Sequence, residues 1–337
     1  MPSIQKHDYK QVYAMELYID LEQQLNDFLA ENIDDVVKNV PGKCASYIPE
    51  LEKANPNDLG FSLLLPSNKL FLSGNYDTPF SIQSIAKVIT FMAACMYHGT
   101  DYVLQWVDVE PTGTAFNSTL SFELSANKKP YNPMVNSGAI SITSMIPGST
   151  SKEKTNNVLD IMSKLLNREV FLDQNVLQSE LKTAYRNRAI ANLLMENGLL
   201  DSSVEDALAT YISICSAEVT VEDLARIGLI LSHNGHDPFR DEQLVPESIA
   251  QLAKIVMFTC GMYDASGKFA AFVGIPAKSG VSGGVLGVVP PSSSNHPLFK
   301  DGGGIGIYGP AVNEQGNSVK GMRLLELFIQ KYPVQIF

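Results

Sequence analysis

Residues Ser81–Gly99, SIQSIAKVITFMAACMYHG, are the segment around which we expect this 337-residue chain to be organised. The stretch is nearly apolar on every side, which is typical of a helix buried in a protein core. Ser81 is a candidate N-cap, and Gly99 stands where a helix commonly ends. Ser84 and Lys87 lie three residues apart near the start of this helix, so their side chains share one face. We therefore predict a buried central helix that begins with a serine and a lysine.

The Ser84–Lys87 pair has the composition that nucleophilic catalysis requires. Burial makes a charged lysine costly, so the pKa of Lys87 is open to tuning by its surroundings. A hydroxyl beside such an amine combines a weak nucleophile with an adjacent base, and free backbone N–H groups at a helix start bind oxyanions. The pattern S-x-x-K occurs six times in the chain, but only here does it open a long apolar helix. The alternative is a helix-start serine beside a lysine that extends along the helix to solvent.

Composition and charge limit the classes of protein to which the chain can belong. Hydrophobic residues make up 45% and charged residues 18% of the sequence, as in folded globular proteins. The net charge is −11 and there is no run of basic residues, so we expect no nucleic-acid partner. No apolar segment is long enough to span a membrane, and the first residues lack the apolar part of a secretory signal. With four widely spaced cysteines and no zinc pattern, we expect a cytoplasmic protein without a metal site.

Short strand patterns toward both ends of the chain predict one sheet. Residues Gly60–Leu65 and Lys69–Ser73 are apolar runs separated by a Pro-Ser-Asn turn, which indicates a hairpin. Residues 268–291 are typical of two strands joined by glycines, and GGGIGIYGP at 302–310 suggests a third. Neither end has enough strands for its own sheet, so we expect an α+β fold with one antiparallel sheet flanked by helices. The predicted division is a sheet part formed by residues 1–106 and 256–337, with residues 107–255 inserted as a mostly helical lobe.

Two polar features stand out in the predicted helical lobe. Residues Gln178–Asn197 form an unusually polar segment that we predict as one helix, with Glu180 and Asn187 seven residues apart. That spacing is two helical turns, so both side chains lie on one face of the helix. The alternative to a binding role is that this polar face is simply exposed to solvent. Asn136 opens a run of small apolar residues, where an asparagine is more often a helix cap than a ligand.

A second motif, Lys278-Ser279-Gly280, follows an apparent strand near the C-terminus. It is the only K-[ST]-G sequence in the chain. S-x-x-K on a helix followed by K-S-G on a strand is the pairing found in serine β-lactamases and penicillin-binding proteins. The strand would present backbone N–H groups to an oxyanion formed when Ser84 attacks a carbonyl. A glycine-rich turn with an unrelated lysine is the alternative, but the two motifs together favour acyl-transfer chemistry.

Five segments of the chain resemble the serine-dependent glutaminases, a family found in bacteria and as the core of animal glutaminases. The resemblance runs from about Tyr47 to Gly321, with the segments in the family's order. It implies a β-lactamase-like fold and hydrolysis of L-glutamine to L-glutamate and ammonia, without a metal or an organic cofactor. The segments are QSIAK (Gln83–Lys87), NPMVNSGAI (Asn132–Ile140), CSAEVT (Cys215–Thr220), CGMYDASGKFAAFVG (Cys260–Gly274) and PAKSGVSGG (Pro276–Gly284).

The resemblance also implies roles for residues at matching positions. Ser84 would be the nucleophile, Lys87 its general base, and Tyr263 would assist proton transfer near the leaving ammonia. Glu180 suits the substrate's ammonium group, and asparagine amides with tyrosine hydroxyls suit its carboxylate. The backbone N–H groups of Ser84 and Val281 would form the oxyanion hole. The implied substrate-binding positions are Tyr47, Ser84, Asn136, Glu180, Asn187, Tyr211, Tyr263 and Val281.

Two other functions remain open from the sequence. A β-lactamase or D,D-peptidase shares both short motifs, although the chain has no Ser-Asp-Asn triplet. A non-catalytic binding module with the same fold is the other possibility. The presence of Ser84, Lys87 and Tyr263 argues against it. We expect a homo-oligomer, a dimer or a tetramer, although no feature of the sequence decides between these states.

Overall fold

A five-stranded antiparallel sheet forms the centre of the computed structural model, which describes residues 6–112, 129–291 and 296–337. The strands in this part of the chain are β1 (Lys43–Cys44), β2 (Gly60–Leu64), β3 (Leu70–Gly74), β4 (Phe80–Ser81), β5 (Glu218–Val219), β6 (His236–Asp237), β7 (Glu242–Gln243), β8 (Ala277–Ser279), β9 (Gly284–Val289), β10 (Gly303–Tyr308) and β11 (Ala311–Val312). The order in the large sheet is β3-β2-β10-β9-β8. In its register, Ile305 of β10 lies opposite Leu63 of β2 and Gly287 of β9. The predicted α+β fold, with one antiparallel sheet built from both ends of the chain, is confirmed.

Helices make up most of the remaining described residues. They are α1 (Lys6–Asn39), α2 (Ala86–His98), α3 (Thr100–Val103), α4 (Asn136–Ser144), α5 (Ser151–Leu166), α6 (Gln174–Thr183), α7 (Tyr185–Glu196), α8 (Val204–Cys215), α9 (Val221–Ser232), α10 (Glu247–Cys260), α11 (Ser266–Phe272) and α12 (Val319–Lys331). Among the described residues, no helix combines the length and the apolar character that crossing a membrane requires.

Helices cover both faces of the sheet, and strands β2, β9 and β10 are accordingly buried along their whole length. On one face, α1 and α12 contribute to the apolar cluster that contains Phe61 and Phe328. On the other face, α2 and α9 share a cluster with Leu286 of β9. Helix α9 approaches the sheet closely because Gly228 has no side chain. A Cβ atom there would lie 2.8 Å from the Cα of Gly304 in β10.

The predicted hairpin and the end of the central helix agree with the structure, but one C-terminal strand does not. Strands β2 and β3 pair as neighbours, and Gly99 ends α2 with a φ of 83°. Residues 268–272, which we expected to begin a strand, belong to α11 instead, and the strand pattern is confined to β8 and β9. The lobe predicted at 107–255 includes residues 113–128, which lie outside the described residues, and α9, which packs on the sheet.

Candidate active site

Ser84 lies in a single turn of 3-10 helix, Gln83–Ile85, that continues directly into α2. The residue is buried, with 6% of its surface exposed. The preceding residue, Gln83, has a φ of 48°, a backbone conformation that residues other than glycine rarely adopt. The backbone therefore turns sharply at this point. The prediction that Ser81 caps the helix is wrong. Ser81 ends β4 and pairs with Glu218 of β5, because strand pairing continues up to the turn and leaves no cap position for it.

Lys87 extends from the first turn of α2 into the protein interior and is 2% exposed. Its Nζ donates hydrogen bonds to the Oδ1 of Asn136, at 2.6 Å, and to the carbonyl oxygen of Met134, at 3.2 Å. Burial lowers the pKa of Lys87 to about 8, although the nearby Cys215 and Glu180 raise it in part. A substantial fraction of this amine is therefore neutral near pH 8 and able to accept a proton.

Asn136 is a polar link between the lysine and the helical lobe. It is the first residue of α4, and Val135 occupies the cap position, so the interpretation of Asn136 as a helix cap is wrong. Its Oδ1 accepts hydrogen bonds from Lys87 and, at 3.4 Å, from the hydroxyl of Tyr211. Its Nδ2 donates to the Oδ1 of Asn187 at 2.9 Å. Four predicted site residues are thus joined in one hydrogen-bonded network.

Glu180 is a buried carboxyl group on the other side of Ser84's turn, with 7% of the residue exposed. The Nε2 of Gln83 donates to its Oε2 at 3.4 Å and to the hydroxyl of Ser81, also at 3.4 Å. Burial raises the pKa of Glu180 to about 7, and the Gln83 hydrogen bond and the Lys87 charge both act in the opposite direction. Such a carboxylate gains strongly from a bound cationic partner, because binding offsets the cost of its desolvation.

The polar segment predicted as one helix over Gln178–Asn197 is two helices in the structure. Helix α6 ends at Thr183 and α7 begins at Tyr185, with Ala184 between them at φ −74° and ψ 26°. The argument that Glu180 and Asn187 share a face of one helix is therefore wrong. Both side chains nevertheless line the same cavity, because the break redirects the chain between them.

Tyr263 lies in a short turn, where its φ is 55°. Its phenol donates to the carbonyl oxygen of Ser279 at 3.1 Å and forms a hydrogen bond with the Ser84 side chain. Burial raises the pKa of the phenol, so it stays protonated. The Nζ of Lys278 lies 4.4 Å from the centre of the Tyr263 ring and donates to the same Ser279 oxygen at 2.7 Å. Burial, followed by the charge of Lys87, lowers the pKa of Lys278 well below its usual value.

Ser84, Asn136, Glu180, Asn187 and Tyr211 line one cavity of about 290 Å³. Within the described part of the chain, neither the Ser84 nor the Val281 backbone N–H donates a hydrogen bond. The cavity is also lined by residues that were not predicted from the sequence, among them the polar residues Gln83 and Arg186. Gln83 directly precedes Ser84, and Arg186 directly precedes Asn187. Tyr263 is not part of the lining of this cavity. The lining residues are Tyr47, Ile48, Gln83, Ser84, Asn136, Glu180, Thr183, Ala184, Tyr185, Arg186, Asn187, Tyr211 and Val281.

The chemistry available in this cavity is acyl transfer. A buried serine is hydrogen-bonded to a protonated phenol, a lysine with a lowered pKa lies one helical turn away, and two backbone N–H groups are unoccupied. Across residues 6–112, 129–291 and 296–337, no three histidine, cysteine or acidic side chains are grouped to hold a metal ion. The fold and the groups that line or adjoin this cavity indicate the class of hydrolases.

Comparisons with known proteins identify the family within this class. The sequence pattern of the Glutaminase family matches residues 42–337. Glutaminase 2 of Bacillus anthracis is 50% identical over 296 residues, covering 88% of this chain and 91% of that protein. Glutaminase 1 of Bacillus subtilis (strain 168) is 49% identical, with 88% and 90% covered.

Solved structures agree with the sequence comparison. A crystal structure of a Bacillus subtilis glutaminase in covalent complex with 5-oxo-L-norleucine superimposes with a TM-score of 0.83 at 44% identity, covering 94% of this chain and 99% of that chain. A Bacillus subtilis glutaminase complexed with 6-diazo-5-oxo-L-norleucine gives a TM-score of 0.85 at 45% identity, covering 92% and 95%. The chain belongs to the glutaminase family, the enzymes that hydrolyse L-glutamine to L-glutamate and ammonia.

Proposed function

We propose that the enzyme hydrolyses L-glutamine through a covalent glutamyl–enzyme intermediate on Ser84. The observation that carries the proposal is that Ser84 and the buried carboxyl of Glu180 line one cavity, and that Lys87 bonds to Asn136 of the same lining. A Bacillus subtilis relative reacts with 6-diazo-5-oxo-L-norleucine to form a covalent complex, which supports a nucleophile in this cavity.

In the first half of the reaction, the Ser84 oxygen forms a bond with the side-chain amide carbon of glutamine. The proton of the hydroxyl passes to neutral Lys87, whose pKa of about 8 suits a general base at neutral to mildly alkaline pH. The oxyanion accepts hydrogen bonds from the backbone N–H groups of Ser84 and Val281. The carbon–nitrogen bond then breaks, and ammonia leaves after receiving a proton from Lys87 through the Tyr263 hydroxyl.

In the second half, water attacks the ester formed on Ser84. Lys87 accepts a proton from this water, the carbon–oxygen bond to Ser84 breaks, and the serine oxygen regains a proton. The product is L-glutamate, and every group of the enzyme returns to its starting state. Tyr263 is already hydrogen-bonded to Ser84, so its hydroxyl is placed to transfer a proton in both halves.

Substrate recognition in this proposal uses the polar side chains around the cavity. Glu180 holds the ammonium group of glutamine, because it is the acidic residue of the lining and is buried without a cationic hydrogen-bond donor. Asn187 and Tyr211 lie on the other side, in contact with Asn136. Tyr47 is 56% exposed and lines the cavity, which places its ring at the opening.

Lys278 acts as a positioning residue for Tyr263 in this scheme. Its amine and the Tyr263 hydroxyl bind the same carbonyl oxygen of Ser279, and the lysine also packs on the tyrosine ring. Burial lowers the pKa of Lys278, and its contacts fix the position of the Tyr263 hydroxyl.

The finer structural and cellular expectations extend this proposal. The K-S-G lysine lies on the edge strand β8, and the S-x-x-K helix α2 lies against one face of the sheet; this supports a fold like that of β-lactamases and penicillin-binding proteins. We also propose the division into residues 1–106 with 256–337 and a lobe at 107–255, acting as one catalytic unit. A homo-oligomer located in the cytoplasm completes the proposal, and light scattering of the purified protein measures its oligomeric state.

An ammonia-release assay tests the function directly. The purified protein is expected to release ammonia from L-glutamine, and Ser84→Ala is expected to abolish turnover while the protein stays folded. L-asparagine and a chromogenic β-lactam serve as competing substrates. Faster turnover of the β-lactam than of glutamine would favour a β-lactamase or D,D-peptidase activity instead, and an absence of turnover of any substrate would favour a binding module.

A further inference from the structure

The charged residues that line the cavity form an unequal pair. Among the described lining residues, Glu180 is the one acidic side chain and Arg186 is the one basic side chain. Glutamine carries an ammonium and a carboxylate on the same carbon atom, so a site for it is expected to hold one group of each opposite charge. Glu180 is buried, whereas Arg186 is exposed, so the cation lies at the opening of the cavity.

The neutral groups around the cavity bond to one another and carry no positive charge. The Oδ1 of Asn136 accepts from Lys87 and from the hydroxyl of Tyr211, which directs the tyrosine proton away from a ligand. One proton of the Asn136 amide is used on Asn187, so the two asparagines retain three amide protons for a ligand. These protons can bond to a carboxylate, but they cannot neutralise its charge.

Arg186, by contrast, has its donors available. Among the described residues, its guanidinium takes part in no hydrogen bond or ion pair, whereas Arg188, two residues later, bonds to Glu205 at 3.1 Å. Arg186 lies in the first turn of α7, directly before Asn187, and the break at Ala184 fixes the direction of that turn toward the cavity. An arginine that lines a cavity and has no internal partner is suited to a planar anionic ligand.

We propose that Arg186 determines specificity for the α-carboxylate of the substrate. The inference rests on the proposed function, in which Glu180 holds the ammonium group on the same carbon. Arg186 forms a charge-assisted hydrogen bond with the carboxylate and favours free α-amino acids over substrates whose carboxyl group is blocked. Because the contact is present in the substrate before and after attack by Ser84, it lowers KM and leaves kcat nearly unchanged.

The test compares two substrates in three variants. L-glutamine is compared with L-glutamine α-amide, in which a neutral amide replaces the α-carboxylate, and hydrolysis of the side-chain amide is followed by chromatography of the acid formed. The variants are Arg186→Gln, Arg186→Lys and the control Arg188→Gln, which removes a nearby guanidinium that does not line the cavity. Thermal unfolding of each variant confirms that it is folded.

We expect Arg186→Gln to raise KM for glutamine by about tenfold, with kcat changed less than about twofold. Its kcat/KM for the α-amide should match that of the wild-type enzyme, so that the preference for the free carboxylate falls by the same factor. Arg186→Lys should restore part of the loss, and Arg188→Gln should behave as wild type.

Two results would overturn the inference. One is an unchanged KM for glutamine in Arg186→Gln, and the other is an equal loss on both substrates, which indicates a structural role. Either result leaves glutaminase activity of the wild-type enzyme intact, so it is distinguishable from failure of the proposed function. That failure would appear as an absence of glutamine turnover in the wild-type enzyme itself.

Discussion

Glu180→Gln tests two effects of the buried carboxylate, its cost to folding stability and its contribution to binding of glutamine. The substitution keeps the size and shape of the side chain and retains an oxygen that accepts from Gln83. It removes the charge that is proposed to hold the ammonium group of glutamine. A hydrogen bond to a charged group contributes about 1.5–3 kcal/mol, so KM for glutamine should rise by about 10- to 150-fold.

The same substitution should stabilise the folded protein at neutral and alkaline pH. Burial raises the pKa of Glu180 from 4.5 to about 7, which corresponds to about 3 kcal/mol between its two protonation states. The folded carboxyl binds more protons than the unfolded one between these pH values, so wild-type stability falls as pH rises through that window. The variant has no such ionisation. It should equal the wild type near pH 4.5 and exceed it by up to about 3 kcal/mol at pH 8.

Urea unfolding at several pH values and steady-state kinetics measure both effects on the same preparations. Glu205→Gln is the control, since Glu205 is an exposed acid paired with Arg188 outside the cavity. It should change neither KM nor the pH dependence of stability by a comparable amount. An unchanged KM in Glu180→Gln would contradict the proposed contact with the ammonium group. A wild-type pH dependence of unfolding in this variant would contradict the raised pKa of Glu180.

Three further predictions concern the catalytic pair and the sheet. Lys87→Ala should abolish turnover, and combining it with Ser84→Ala should be little worse than either change alone, whereas additive losses would separate the two residues. The kcat/KM of the wild-type enzyme should rise with pH up to about 8, with a slope that steepens below pH 7, because neutral Lys87 and ionised Glu180 are both required. A kcat/KM that does not change with pH would show that the ionisation of Lys87 and Glu180 does not control the reaction. Gly228→Ala should lower the free energy of unfolding by more than about 2 kcal/mol through contact with β10, and an unchanged urea midpoint would contradict that close packing.

The antiparallel sheet and the central helix could be predicted because their signals are local and strong. Apolar strand patterns at both ends of the chain and the apolar run after Ser84 determine which segments are buried. The chemistry of the Ser84–Lys87 pair could also be inferred, since a lysine in an apolar helix is unusual in itself. Each of these signals comes from residues close together in sequence, although the pairing of β2 with β10 does not.

The break at Ala184 could not be predicted from its own residues. Neither proline nor glycine stands there, and the flanking sequence is compatible with a continuous helix. The break is accompanied by contacts with distant parts of the chain, Glu180 with Gln83 and Asn187 with Asn136. The prediction of Ser81 as a helix cap fails for a similar reason, because its pairing partner Glu218 is far away in sequence. Long-range contacts of this kind leave no local pattern.

The role of Ser84 is tested most directly by locating the site of covalent reaction. The enzyme is treated with 6-diazo-5-oxo-L-norleucine, and the modified peptide is identified by mass spectrometry, with Ser84→Ala as the control. We expect one adduct per chain, on the Ser84 side chain, that forms with loss of activity and is absent in Ser84→Ala. An adduct on another residue that accompanies complete inactivation, or unchanged labelling of Ser84→Ala, would contradict the acyl-enzyme mechanism.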